Sequence, residues 1–348
     1  MNISLTGDTS LANFIESQAP GTFSHIRTWL SVVPQLYGYK VFLLSATNKE
    51  GRIAGFLPVC LIRSLLTGPR LVSLPFTDQC PLLAADEASA NQLIDQAIQL
   101  AQHQKVRYLE LRTGVNDVVA RRADLVEGNL YVTWLLKLST DPERMWKELR
   151  KPVQRQIKKS EGQGVSVRLA RRREDMEHYY RLHLQTRCRK HGMPAQPRAY
   201  FYSLWDAFAT QGGVRLLLAE FEGRVIAGMI LLASGTTIRY AYGASDEHYL
   251  KLAPNNLLLW TAIKIGCAAG FQNLDLGRTA RDNEGLMAFK RRWGGIQEPL
   301  PYYYYPQMAG LATTSETSHK FRLLTACWKR LPVQIAGPVG GVLYKHLG

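Results

Sequence analysis

The sequence predicts an α/β (α+β) protein made of two copies of one unit. The first observation behind this is a hairpin that occurs twice. Leu43-Leu44-Ser45-Ala46 with Gly51-Arg52-Ile53-Ala54-Gly55-Phe56-Leu57 is echoed by Leu217-Leu218-Ala219-Glu220 with Gly223-Arg224-Val225-Ile226-Ala227-Gly228-Met229-Ile230-Leu231. In each, an apolar run meets a short polar turn with glycine and then a second run rich in β-branched residues, which is a hairpin pattern. The second observation is that both hairpins lead into the same succession of elements. After the first hairpin come a strand-like Leu71 to Phe76, a helix-like Ala88 to His103 and the strand Val106 to Arg112. After the second come Ile238 to Gly243, Asn255 to Ala269 and Phe271 to Gly277. The order β, β, β, α, β occurs twice, so the chain reads as a duplicated unit.

Between the copies, Asp141-Pro142-Glu143-Arg144 marks a helix start, with Asp141 as N-cap and Pro142 at the first helical position, where a missing N–H costs nothing. Pro152 should kink or restart this helix before it runs to about Ser160. A strand near Val165 to Leu169, a helix from about Asp175 to Arg189, a Gly and Pro loop over 192–197 and a helix from Pro197 to Thr210 lead into the second hairpin. Pro299 to Tyr305 reads as a final strand. The expected domains are 1–138, 139–306 and a tail, 307–348. In the tail Thr313 to Ser318 looks like a linker. It precedes an amphipathic basic helix, Phe321 to Leu331, which could pack on the protein or lie on an anionic membrane surface.

A length of 348 residues accommodates two substantial cores. Charge is divided unevenly: through Lys137 there are twelve Lys and Arg against eleven Asp and Glu, so nearly all of the net +15 lies in the second half. Residues 138–173 alone hold eleven basic and four acidic side chains, and 187–198 hold four basic and none acidic. Such a field favours polyanionic partners such as nucleic acid, nucleotide diphosphates or acidic lipid headgroups. Five scattered cysteines without a CxxC spacing speak against a disulfide framework or a zinc site, and the amino terminus lacks the regions of a signal peptide. The expectation is a cytoplasmic protein without a metal, in peripheral contact at most with the inner face of the cytoplasmic membrane.

The second copy carries residues that the first lacks. Strict alternation along Arg239-Tyr240-Ala241-Tyr242-Gly243-Ala244-Ser245 would send Tyr240 and Tyr242 to one face, where two phenols can hold a polar substrate. After the last strand of this copy come Gly277-Arg278-Thr279-Ala280-Arg281 and then Phe289-Lys290-Arg291-Arg292-Trp293-Gly294-Gly295. A loop beyond the carboxyl end of a strand is a common ligand position in α/β sheets. Here it brings cations, Arg278 and Arg291 among them, together with glycines that allow close approach to a phosphate or an oxyanion.

These elements, in their order, carry a resemblance. Tyr240-Ala241-Tyr242-Gly243, Pro254-Asn255, Asp275-Leu276-Gly277 and Phe289-Lys290-Arg291-Arg292-Trp293-Gly294 resemble the Tyr-x-Tyr-Gly, Pro-Asn, Asp-x-Gly and Phe-Lys-x-x-Phe-Gly succession of the Fem family of peptidoglycan aminoacyltransferases. The branch found with exopolysaccharide and exosortase loci is especially similar. The resemblance covers roughly residues 20–306, strongly in the second half. It implies two tandem domains of the Gcn5-related N-acyltransferase (GNAT) fold, with mixed central sheets flanked by helices. It further implies that Tyr240 and Tyr242 contact substrate, that Lys290 polarises the carbonyl under attack, and that Arg187 is a weaker candidate for substrate binding. Two departures stand out: the helical-hairpin arm of some Fem enzymes has no room here, which weakens tRNA recognition, and Trp293 replaces phenylalanine.

Simple acetyltransferases of this fold cradle the coenzyme A pyrophosphate with a glycine-rich loop at a helix start. This chain has Tyr249-Leu250-Lys251-Leu252-Ala253-Pro254-Asn255-Asn256 there, whose side chains obstruct the approach that glycine permits. The reading is then N-acyl transfer to an amine of a cell-envelope precursor. The donor would be a cosubstrate, aminoacyl-tRNA or an acyl group on coenzyme A or acyl carrier protein, with no tightly bound cofactor and no DNA partner. Coenzyme A- or carrier-dependent acylation in exopolysaccharide synthesis and a non-catalytic module binding an anionic polymer or membrane are the rivals.

Overall fold

The computed structural model describes residues 9–19, 23–65, 67–209, 212–306, 328 and 330–346. These fall into two compact units, one formed by residues 9–132, 299–306 and 345–346, the other by 133–298, 328 and 330–344.

The first unit begins with α1 (Thr9–Gln18) and α2 (Phe23–Tyr37) and continues with β1 (Lys40–Thr47), β2 (Ile53–Ser64), β3 (Gly68–Val72), β4 (Leu83–Ala84), α3 (Glu87–His103), β5 (Tyr108–Leu111) and α4 (Asp117–Ala120). β6 (Val126–Lys137) starts here. The expected hairpin is β1–β2, antiparallel from Lys40↔Leu61 to Ala46↔Gly55. Its turn is set by Asn48, whose Oδ1 accepts from the N–H groups of Glu50 and Arg52 at 3.1 and 2.9 Å, and by Gly51 at φ +74°. β2 pairs β3 antiparallel, and β3 pairs β5 parallel through the crossover helix α3. Asp86 caps α3 by accepting from Ser89 N at 2.7 Å. The buried stripe Ala90, Leu93, Ile94, Ala97, Ile98 and Ala101 then packs on Leu57, Val59, Leu71, Leu109 and Leu111 of the sheet.

The second unit repeats this scheme. Before the repeat lie α5 (Pro142–Glu148), α6 (Lys151–Gly162), β7 (Ser166–Leu169), α7 (Asp175–Leu184), a π-helical segment (Gln185–His191) and α8 (Arg198–Phe208). Asp141 accepts from Glu143 N at 2.9 Å, and the helix breaks at Leu149 and restarts before Pro152, as the sequence predicts. The repeat is β8 (Val214–Phe221), β9 (Arg224–Ser234), β10 (Thr237–Ser245), a short 3₁₀ turn (Glu247–Leu252), α9 (Pro254–Ala268) and β11 (Asn273–Asp275). β7, β8, β9 and β10 pair antiparallel in sequence, and β10 pairs β11 parallel. α9 is apolar nearly all round, because Leu257, Leu258, Leu259, Trp260, Ala262, Ile263 and Cys267 are all buried. β12 (Thr279–Ala280), α10 (Glu284–Arg292), β13 (Ile296–Tyr305) and α11 (Val333–Tyr344) complete the chain.

The units are not consecutive segments. β6 starts in the first unit and ends in the second, where Leu135, Leu136 and Lys137 pair Asp275, Leu274 and Asn273 of β11. β13, expected as the last strand of the second domain, ends in the first unit, where Tyr303, Tyr304 and Tyr305 pair Leu111, Glu110 and Leu109 of β5. Limits drawn at 138, by the helix start, and at 306, by composition, mark the ends of these strands, whereas the crossings fall inside them, at 132/133 and 298/299. The linker over 313–318 and most of the helix expected over 321–331 lie outside the described residues. Beyond them the chain forms α11, a helix that its composition did not announce.

Two features of the second unit give stability predictions. Asp175, at the start of α7, is buried and accepts from Arg168 Nη2 at 2.9 Å and from the backbone N–H groups of Arg171 and Arg172 at 3.1 and 3.2 Å. Burial pushes its carboxyl up, but the hydrogen bonds from Arg168, Arg172 and Arg171 outweigh this and hold it below the usual carboxylate range. Because the folded pKa is the lower one, the stabilisation is present above the unfolded pKa and disappears as pH falls through the folded value. Asp175→Asn should therefore cost about 2 kcal/mol in denaturant unfolding at neutral pH, and the gap to the parent should narrow on acidification below about pH 4. At Gly228 on β9, an added Cβ would lie 2.9 Å from Tyr179 Cδ2 and 3.2 Å from Leu218 Cδ2, both in the core. Gly228→Ala should cost about 1–3 kcal/mol, read as a lower urea midpoint with an unchanged slope.

Candidate functional site

β10 departs from strict alternation. Tyr240 stands opposite Leu231 of β9 and Tyr242 opposite Ile230, so Ala241 has no partner and the register slips by one. Leu231 and Ile230 are neighbours on β9 and point to opposite faces, and residues paired across a ladder share a face. The bulge therefore puts Tyr240 and Tyr242 on opposite faces, which corrects the expectation that they share one. It also coincides with a divergence. β10 pairs β11 only over Thr237↔Asn273, Ile238↔Leu274 and Arg239↔Asp275, then continues to Ser245 while β11 ends. Past Arg239 the two parallel strands separate at their carboxyl ends, where open α/β sheets place ligands.

Tyr240 is the first residue beyond that point. Its ring lies over Gly243, so a Cβ there would come within 2.8 Å of Cζ and 2.9 Å of Cε2. Desolvation pushes its phenol up to about 12, so it stays protonated, a hydrogen-bond donor rather than a base. Tyr242, on the other face, meets α8: its hydroxyl is 2.6 Å from that of Tyr200, and its ring stands edge-on to Tyr200 and Phe201 at 5.9 and 5.6 Å. Tyr179 of α7 joins them. Its buried hydroxyl makes no hydrogen bond, and its pKa is raised, first by burial and then by the neighbouring Tyr240 and Tyr242, against an opposing effect of Arg187. Three residues singled out in the sequence thus act electrostatically on one phenol that was not.

Arg187 lies in the π-helical segment, and its Nε donates to the carbonyl of Pro194 at 3.3 Å. His183, one turn earlier, is buried and held neutral: burial, then the charge of Arg187, push it down to about 3, against a smaller opposing effect of Gln196. That makes it a poor proton acceptor at neutral pH.

The loop after β11 is fixed from within. Asp275 Oδ1 accepts from Gly277 N at 2.7 Å, and Gly277 takes φ +77°, open to glycine at little cost. Lys290 of α10 is 5% exposed, and its Nζ donates to the carbonyls of Gly277 and Arg278 at 2.7 and 3.1 Å. Lys290 and the backbone of Arg278 are therefore brought together. The Arg291 guanidinium instead lies 6.0 Å from the Trp134 ring, and Trp293, in the place of the phenylalanine, is buried. Two groups that the sequence did not single out have buried polar atoms without a hydrogen bond, Thr279 Oγ1 in this loop and Trp134 Nε1 beside it. Neither sits in a pattern with a local sequence signal.

At the expected donor position the chain forms the 3₁₀ turn, and then Ala253, at φ +55°, leads into α9 at Pro254 with no side-chain cap. Beside it is a cavity of about 390 Å³ lined by Thr186, Arg189, Lys190, Ser245, Asp246 and His248, among others. Its mixed charges contrast with the backbone cradle that a pyrophosphate takes.

Residues 147–291, which include all six candidate side chains, match the family model described as an acetyltransferase (GNAT) domain. Over 82 residues the chain is 34% identical to the lipid II:glycine glycyltransferase of Staphylococcus epidermidis, a match covering 22% of this chain and 20% of that protein. The chain thus spans about a fifth of the length of the curated relatives it matches. Among solved structures, FemX superposes with a TM-score of 0.67 at 15% identity, covering 89% of this chain and 98% of FemX. A tandem GNAT protein from the clavulanic acid biosynthesis pathway superposes with a TM-score of 0.55 at 14% identity, covering 90% and 98%. At such identities the likeness speaks to fold: a mixed α/β protein whose structural neighbours include a tandem GNAT protein, as expected from the duplicated α/β unit together with the fold that the resemblance implies.

Proposed function

We propose that the second unit catalyses N-acyl transfer, in which an amine of a cell-envelope precursor attacks the carbonyl of an activated aminoacyl or acyl ester. The C–N bond forms, the C–O bond of the ester breaks, and the proton of the attacking amine leaves with the departing hydroxyl or to solvent. The observation that carries this is the parting of β10 from β11 at the bulge. It opens the carboxyl ends of two parallel strands between a neutral phenol, Tyr240, and a loop pinned by a buried ammonium, Lys290. Donors fixed before the reaction stabilise a developing oxyanion without reorganising. Tyr240 and the hydroxyl of Thr279 are assigned to the reacting carbonyl, with Lys290 as the cation behind the loop. Arg187, Arg278, Arg291 and Tyr242 are assigned to the anionic and polar parts of the substrates.

The name of the relative, lipid II:glycine glycyltransferase, supports an acceptor amine on a lipid-linked peptidoglycan precursor and an aminoacyl donor. For the donor, the glycine-free approach to α9 disfavours coenzyme A, and the basic second half suits the phosphates of a tRNA. Mass spectrometry of a lipid II-type acceptor incubated with aminoacyl-tRNA, acyl-coenzyme A or acyl carrier protein tests both halves. An added aminoacyl mass that vanishes after RNase treatment is expected. Full activity after RNase treatment excludes tRNA, modification of a polysaccharide amine instead of lipid II moves the acceptor to exopolysaccharide synthesis, and no product with any donor removes the catalytic reading.

A further inference from the structure

α11 is built inside out for a helix on a protein surface. Its glycines face the protein: a Cβ on Gly340 would lie 3.0 Å from Ala195 N and 3.2 Å from Ala195 O, and one on Gly341 would lie 3.1 Å from Pro197 Cβ. Ala336, fully buried, completes this face in a cluster with Cys188, Ala195 and Leu184. The aliphatic side chains point the other way. Ile335, Val339 and Val342 are 51%, 40% and 61% exposed, and at 100° per residue they share an arc of about 60°. A helix that buries glycine and exposes these three β-branched side chains gains no core area from them, so the outward stripe answers to an apolar partner.

The sequence on either side of α11 indicates that partner. From residue 317 onward the chain has Lys320, Arg322, Lys329, Arg330 and Lys345 and no acidic residue, while α11 itself has no charge. A second copy docked on this face would bring like charges together, and three side chains fall well short of the roughly 800 Å² per partner that a stable interface buries. An anionic bilayer satisfies both features, with acyl chains for the stripe and headgroups for the flanking cations. The helix has 12 residues, about 18 Å long against a hydrocarbon core of about 30 Å, and among the described residues no helix is long and apolar enough to cross a membrane. We infer that α11 is an in-plane anchor, which seats the second unit on an anionic lipid surface through Ile335, Val339 and Val342.

The test needs no turnover, so its outcome is separable from that of the proposed reaction. The full chain is co-sedimented with vesicles of phosphatidylcholine alone and with about one third phosphatidylglycerol, at about 0.1 M and about 0.5 M salt. Binding is expected only to the anionic vesicles, weaker at high salt, with Ile335→Asp/Val342→Asp lowering the bound fraction about tenfold or more. Because both positions face solvent, circular dichroism should be unchanged, and Ile335→Ser/Val342→Ser, which adds no charge, should show a smaller loss in the same direction. Equal binding by parent and variants overturns the assignment. So does a concentration-dependent dimer that the same substitutions abolish without any vesicle binding, which would make the face a contact between copies.

Discussion

Lys290→Met is expected to lower turnover by about 10²- to 10³-fold and stability by about 2–4 kcal/mol. The lysine is 5% exposed, and its ammonium serves the carbonyls of Gly277 and Arg278. Methionine fills similar space but removes the donor that Lys290 gives both carbonyls, and losing a hydrogen bond to a buried group costs more than the bond itself contributed. The loop they belong to lies where β10 and β11 part, so its relaxation displaces whatever it presents to a reacting carbonyl. Urea unfolding and single-turnover rates measured on the same variant separate the two effects. Lys290→Arg keeps the charge but cannot place its planar guanidinium at the same two oxygens, so it should recover part of the stability and little of the rate. Undiminished turnover in Lys290→Met, measured where the variant is fully folded, would remove the residue from the reaction.

The second large effect is expected at Gly243, for a reason that concerns its neighbour. An added methyl would overlap the Tyr240 ring, with Cζ at 2.8 Å and Cε2 at 2.9 Å, and the Gly243 side is exposed. The ring end can swing aside, so Gly243→Ala should change the melting temperature little while moving the phenol out of the opening. A loss of about 10- to 100-fold in kcat/KM is expected, similar to that of Tyr240→Ala. The double variant should be no worse than either single one, because once the ring is gone the methyl has nothing to displace. Additive losses in that cycle would show that Gly243 acts through something other than Tyr240.

Much of the scaffold was legible because local chemistry determines it. Asn48 and Gly51 specify their turn, Asp141 and Pro142 specify a helix start, and the apolar runs of α3 and α9 specify crossover helices. The site was less legible, because its decisive feature is relational. A bulge is defined by which residues of β9 oppose Tyr240 and Tyr242, and nothing within Tyr240-Ala241-Tyr242 announces it. Tyr179, Tyr200 and Thr279 enter the site through tertiary packing, from helices or loops whose local sequence is ordinary. α11 escaped notice because three glycines and a proline interrupt its apolar run, although Gly340 and Gly341 are what let its backbone lie against Ala195 and Pro197.

The two crossings within β6 and β13 bear on how the molecule can be taken apart. Cutting after residue 138 gives a fragment without the tyrosine-rich strand that pairs β5, and another without the Leu135–Lys137 edge that pairs β11. Each piece exposes an unsatisfied row of backbone N–H and C=O groups, a template for aggregation. Expression of 139–306 alone is expected to give insoluble material, read as loss of the fragment from the soluble fraction of a lysate. Because β6 and β13 each carry residues of both units, either unit is complete only when the whole chain is made as one polypeptide.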